Sequence, residues 1–239
     1  MRSRGIVLHS VRYNDSHIIV SIFTEEAGLV SFFVTAARER RNGIKASAWQ
    51  PLAFVEVMWE PRLNTYLQKP RELVLWRSWR SLAREPRKTA MCLFLSEFLH
   101  YALRGEQENR PMFAFIVDAL LWFDENNGHF ENFHIVFLLR LTRFLGFMPN
   151  ANDWCDGYFF DLQTASFTRV RPYHNNILMP EEAAWVPKFM RMGLRSLRVV
   201  GLNRELRRRV LEIVTEFYRL HIPEFPETKS LDVLREVFD

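Results

Sequence analysis

The hydrophobic period of this chain changes once, near residue 80, and that change constrains the fold more than any single motif. Before it, apolar residues come in short runs of strand character. GIVLHSV (5–11) is rich in β-branched residues, and HIIVSIFT (17–24) alternates, with Ile18, Val20 and Ile22 on one face and Ile19, Ser21 and Phe23 on the other. RYNDSH between them is turn chemistry, and EEAG before Leu29 predicts a second turn in which Gly28 takes a positive φ. LVSFFVTAA (29–37), FVEVMWE (54–60), RLNTYLQKP (62–70) and ELVLW (72–76) complete five or six short strands with little helix between them. Such a set closes into a small barrel, because closure removes exposed strand edges.

From about Trp79 the period is helical. RKTAMCLFLSEFLHYALR (87–104), RPMFAFIVDALLWFDEN (110–126) and FENFHIVFLLRLTRFLGF (130–147) are apolar round most of their circumference, which predicts helices that pack on one another. Pro111 marks a helix start, and Gly146 with Pro149 marks the end of the third helix. GYFFDLQTASFTRVRPY (157–173) interrupts with two strand-like runs around a polar turn. Two helical stretches, 203–223 and 230–239, close the chain. The predicted class is α+β: a small β-barrel over residues 1–80, packed without a flexible linker on a mostly α-helical domain over 81–239 that carries a short β-hairpin insertion.

Net charge is only +4, which by itself does not point to a polyanion, but its distribution is uneven. Residues 1–80 hold 12 Lys/Arg against 7 Asp/Glu, and the remainder 20 against 21. The densest group is Arg38, Arg40, Arg41 and Lys45, which follows a strand and includes Gly43. Long cationic side chains on such a loop suit phosphates, which need no base-specific geometry; the alternative is a solubilising fringe. Arg2, Arg4, Arg62, Lys69 and Arg71 could extend the patch. Tyr13, Trp59 and Tyr66 offer faces for stacking bases, or else they are barrel core. A second basic cluster, LRRRV (206–210), alternates with Glu205, Glu212 and Glu216 at helical spacing and reads as a solvated face.

Several function classes find no support in the residues. There is no GxxxxGK[ST], GxGxxG or GxSxG, and the seven histidines are scattered without an HExxH pattern. No catalytic residue is assigned. The two cysteines, Cys92 and Cys155, stand far apart and cannot build a disulfide framework or a four-thiolate metal site. A reduced, cytoplasmic setting fits them. The N-terminus carries no signal-like run, and charges break every apolar stretch short of a membrane span.

The order of these segments resembles the RecO family of bacterial recombination mediators. The N-terminal pattern runs from RGIVLHSVRYNDSHIIVSIFTEEAGLVSFFV through the basic stretch to WQPLAFVEV, with Asp15, Thr24 and Gly28 at family positions. FLLRLTRFLGFMPNANDWC and HIPEFPETKSLDVL look like the family's third helix and terminal helix. Ala36 and Ala37 stand where the family often has Gly before the basic loop. Many members also carry a four-cysteine zinc site after the third helix; here only Cys155 occupies the place of its first ligand. No zinc and no cofactor is therefore expected, and Phe159, Phe160, Leu162 and Phe167 should hold the hairpin instead.

The resemblance implies an oligonucleotide-binding (OB) barrel and a role without covalent chemistry. That role is binding single- and double-stranded DNA, annealing complementary strands and, with RecR, helping to load RecA on DNA coated by single-strand-binding protein. It also implies localisation to the cytoplasm with the nucleoid. Expected DNA contacts are Arg38, Arg40, Arg41, Lys45, Arg2, Arg4, Lys69 and Arg71. The acidic, apolar tail of single-strand-binding protein is expected on the helical domain at Arg140, Arg143, Phe137 and Phe144. Two rival readings are a nucleic-acid enzyme that uses the barrel to hold its substrate, such as a nuclease, and a helical protein-interaction scaffold.

Overall fold

Strand β1 (Arg2–Asn14) is the spine of the N-terminal sheet in this computed structural model, which describes residues 1–35, 46–82, 84–198 and 201–238. It pairs antiparallel with β2 (His17–Thr24) across a tight turn in which the Asn14 side chain accepts a hydrogen bond from the Ser16 amide at 2.9 Å. β2 continues antiparallel into β3 (Gly28–Thr35), while β4 (Phe54–Trp59) and β6 (Pro70–Arg77) extend the sheet from the other edge of β1. β5 (Leu67–Gln68) lies parallel to β3, giving the order β5-β3-β2-β1-β4-β6. The two end strands are joined through Lys69 alone, so the sheet curls until its edges approach each other. Val7, Val20, Ile22, Phe32, Val34, Val55, Val57, Trp59 and Leu73 fill the inside of the curl.

Three local outcomes differ from the sequence reading or refine it. Gly28 has the positive φ expected of it, 67°, and a Cβ there would lie 2.0 Å from the Glu106 carbonyl oxygen. The stretch 62–70 supplies only the two residues of β5, because the Gln68 side chain takes up the backbone of residues 62–65 and holds it as a loop. Gln68 accepts from the Arg62 amide at 2.9 Å and donates to the carbonyls of Arg62 and Thr65 at 3.0 and 2.8 Å. Trp59, read as a possible stacking face, is core, with its ring edge-on to Phe32 at 5.3 Å.

Helix α1 (Pro86–Ala102) starts where Glu85 accepts from the Lys88 amide and Pro86 pre-sets the first turn. Its Ser96 hydroxyl donates to the Leu8 carbonyl at 2.5 Å, tying it to β1. α2 (Arg110–Glu125) packs its Phe113 ring 6.0 Å from Phe23, which is why both faces of β2 are buried at that end. A polar hub joins α1 and α2 to the segment after β6. The Asp124 carboxylate, 1% exposed, accepts from the amides of Arg80, Ser81 and Leu82. The buried Lys88 ammonium donates to the Ser81 hydroxyl at 2.7 Å and the Phe123 carbonyl at 2.8 Å. Burial alone would raise the Asp124 carboxyl, but the donors from Ser81, Arg80 and Leu82 outweigh it and hold the group below its ordinary value. The C-terminal helix α7 (Ser230–Phe238) returns to α1, where Glu97 accepts from the amides of Lys229 and Ser230 at 3.1 and 2.8 Å and caps it. Residues 1–125 and 227–238 thus form one compact unit.

Residues 126–226 form the second. α3 (Phe133–Leu145) ends at Gly146 in the left-handed conformation, φ 85°. A three-stranded sheet follows in the order β8-β7-β9, made of β7 (Phe159–Asp161), β8 (Ser166–Thr168) and β9 (Ile177–Leu178). Then come the short helices α4 (Pro180–Ala183) and α5 (Trp185–Arg191), and the long amphipathic α6 (Arg204–His221). Phe160, Leu162, Leu178, Ala183 and Phe217 form its core, with Phe147 and Phe167 packed against them; Phe159 lies outside that cluster. The Tyr218 hydroxyl donates to the Leu138 carbonyl at 2.8 Å and fixes α6 on α3. His134 is fully buried on α3; burial first, and the nearby Arg207 charge second, push it down to about 3, so it is neutral at pH 7. In the basic cluster of α6, Arg209 pairs with Glu182 at 2.6 Å and Arg208 with Glu212 at 3.2 Å.

Candidate nucleic-acid interface

Strand alternation sorts the cations of the N-terminal sheet by face. Ser3, Val55, Val57 and Leu73 point inward, so Arg2, Arg4, Glu56, Met58 and Glu72 share the outer face of β1, β4 and β6. Arg2 is hydrogen-bonded to Glu56, and Arg4 lies over the Trp76 ring at 5.1 Å. Arg71 pairs with Glu60 at 2.5 Å. Two arginines against Glu56 and Glu72 leave this face electrically balanced rather than basic. Lys69 is exposed, and among the described residues it makes no ion pair. Arg38, Arg40, Arg41 and Lys45 lie outside the described residues.

The other aromatic candidates are accessible. Tyr66 is 87% exposed and Leu63 wholly so, both on the loop that Gln68 holds. Tyr13, 65% exposed, belongs to a cluster on the outer face of β1, β2 and β3 that periodicity alone did not reveal. Its ring meets Phe33 edge-on at 5.7 Å, and His17 stacks on the same Phe33 at 4.5 Å. The three positions are 4 and 16 residues apart in sequence, and only the hairpin register brings them together.

In the second unit the four expected partner residues separate. Phe137 is fully buried and stacks on Phe133, so it belongs to the core and not to a groove wall. Phe144 is half-buried and Arg143 exposed. Arg140 donates to the Met192 carbonyl at 2.9 Å. Next to Arg140 in sequence, Leu139 lines a narrow cleft of about 50 Å³ with Trp185, Val186, Phe189, Ile213 and Phe217. Part of its wall comes from α5, which is too short to carry a period in the sequence, and part from α6, which lies in the stretch read as helical. Cys155 is exposed, and among the described residues no group of three or more His, Cys, Asp or Glu side chains is gathered. None of the helices of the described residues is long and apolar enough to cross a membrane.

Known proteins match the chain along its whole length. The family model described as recombination protein O N terminal matches residues 1–79, and recombination protein O C terminal matches residues 83–231. A Bacteroides fragilis protein named DNA repair protein RecO is 45% identical over 236 residues, 98% of each chain. One of the same name from Phocaeicola vulgatus is 44% identical over 234 residues, 98% of this chain and 97% of the relative. One from Flavobacterium johnsoniae is 30% identical over 240 residues, 100% and 99%. With both halves matched in order and 30–45% of the residues shared with these relatives over almost the whole chain, the chain belongs to the RecO family of DNA repair proteins, and its curled N-terminal sheet is that family's OB-fold.

Proposed function

We propose that this protein binds single- and double-stranded DNA, anneals complementary strands and, with RecR, helps to load RecA on DNA coated by single-strand-binding protein. The observation that carries this reading is the match of both family models in order, together with relatives that cover 98% of the chain. The role needs no covalent step. It needs cations that meet phosphates and a surface that holds bases apart from their partners. Arg38, Arg40, Arg41 and Lys45 supply the phosphate contacts, with Lys69 and Arg4 next to them in importance. Arg2 and Arg71 contribute less, because each already has a carboxylate partner. The acidic, apolar tail of single-strand-binding protein docks on the second unit, where the cleft beside Leu139 would take its apolar side chains and Arg140 and Arg143 its carboxylates.

Salt dependence tests the DNA reading. Each phosphate contact to a single strand adds about 0.7 to the slope of log K against log salt. Replacing Arg38, Arg40, Arg41 and Lys45 together with Ala should flatten that slope by roughly 2 to 3 units, similarly for different base sequences. A wild-type protein that neither binds DNA at low salt nor speeds annealing would refute the function. A quadruple variant with unchanged slope would refute the assignment of these four residues.

A further inference from the structure

We infer that Tyr13, Phe33 and His17 form a platform on which unpaired bases stack, and that this platform makes the protein distinguish a single strand from a duplex. The inference rests on the DNA-binding reading above and adds a site and a selectivity to it. The ladder sets the geometry. Val11 pairs with Ile19 and Ile19 with Phe33, so these three side chains line up across the outer face of β1, β2 and β3. One step toward the hairpin tip, Asn14 pairs with His17 and His17 with Thr35. Tyr13 falls at the register shift between Arg12 and Asn14, and a bulge of this kind re-aims a side chain. Here Tyr13 reaches across β2 to meet Phe33, while Asn14 holds the His17 ring at 3.0 Å.

Burial separates this surface from ordinary core. Farther along the same face, Phe23 is fully buried and packs on Phe113 of α2. At the tip no helix of the described residues covers the face: Tyr13 is 65% exposed and Val11 45%, while Phe33, His17 and Ile19 are half-buried. Three aromatic rings held at an uncovered sheet face cost no ordering when a flat ligand lands on them.

Charge favours a nucleic acid over an apolar protein segment. Arg12 precedes Tyr13, and Lys69 follows β5, which flanks β3; both are exposed, and among the described residues neither makes an ion pair. Asp15 is the one acidic residue between positions 6 and 24. Cations flanking rings match a strand whose phosphates lie outside and whose bases turn inward. A duplex cannot use the rings, because its base faces are already stacked.

The test compares a fluorescent oligothymidylate with a duplex of equal length, at one low salt concentration, by anisotropy. Tyr13→Ala should weaken single-strand binding about 10-fold, the size of one lost base–aromatic stack, and change duplex binding less than about 2-fold. Tyr13→Phe should restore single-strand binding, and an abasic oligonucleotide should bind wild type and Tyr13→Ala equally. Equal weakening for single strand and duplex would overturn the platform in favour of a general charge or folding effect. Unchanged binding to both would overturn it in favour of a protein partner at this face. A wild-type protein that binds neither DNA would remove the function itself, and the platform with it.

Discussion

Replacing Asp124 should separate the electrostatic part of the hub from its shape. Oδ1 accepts from the amides of Arg80, Ser81 and Leu82 at 3.1, 2.8 and 3.1 Å, whereas among the described residues Oδ2 accepts from the amide of Arg80 alone, at 2.9 Å. Asp124→Ala removes every one of these acceptors and the carboxylate charge that most favours the buried Lys88 ammonium. Removing one member of a buried charged network costs about 3–5 kcal/mol. Asp124→Asn, with its carbonyl oxygen in the Oδ1 place, keeps most of the amide bonds and loses the charge; about 1–2 kcal/mol is expected, the worth of one charge-assisted bond. Urea titration followed by tryptophan fluorescence reads both, because Trp76 and Trp79 pack on Phe54 at 5.0 and 4.4 Å, beside the segment that the hub holds. With a slope of about 2 kcal/mol per molar urea, the Ala variant should unfold about 1.5–2.5 M earlier than wild type. The pH dependence has a defined sign. A carboxyl held below its ordinary value contributes stability that is present above the unfolded value of about 4 and is lost as pH falls through the folded one. The Asn variant should lack this acid-side loss. An Ala variant within about 1 kcal/mol of wild type, or an Asn variant as damaged as Ala, would refute the account of the hub.

Two further outcomes follow from single residues. Gly28→Ala puts a side chain at φ 67° and a Cβ 2.0 Å from the Glu106 oxygen, so the β2–β3 turn and residues 106–107 must move apart; a loss of at least about 3 kcal/mol, or roughly 6–12 °C in thermal midpoint, is expected by calorimetry. Burial pushes the Cys92 thiol up to about 12, while Cys155 is exposed, so a thiol reagent at pH 8 should label one cysteine in the native protein and two in denaturant; two fast native thiols would place Cys92 outside the core.

The sequence made the strands and long helices legible because each rests on local rules. Alternation marked β2 and β4, turn residues marked the β1–β2 hairpin, and Gly146 marked the end of α3. It failed where a distant partner decides the outcome. RLNTYLQKP has strand composition, but one buried glutamine three to six residues away takes up the backbone that a strand would have used. Nothing local marks Lys88 for burial, yet it is buried because Ser81 and the carbonyls of Phe123 and Asp124 surround its ammonium. β9, α4 and α5 are too short to carry a period, so the cleft they help to build had no signal.

The same distinction governs the candidate interface. Counting cations found Arg2, Arg4 and Arg71 but not the carboxylates and the ring that occupy them, since Glu56 is 54 residues from Arg2 and reaches it only through the β1–β4 register. Counting rings found Tyr13 and Tyr66 but could not tell either from Trp59, because burial is a property of the curled sheet. His17 and Phe33 were invisible as a pair for the converse reason: each is ordinary in its own strand, and a ladder must place them side by side before their faces become one surface. A basic patch can therefore be overestimated from composition, whereas a stacking surface is underestimated by it. In this chain it is the register of β1, β2 and β3, and no feature of any one strand, that brings Tyr13, His17 and Phe33 together.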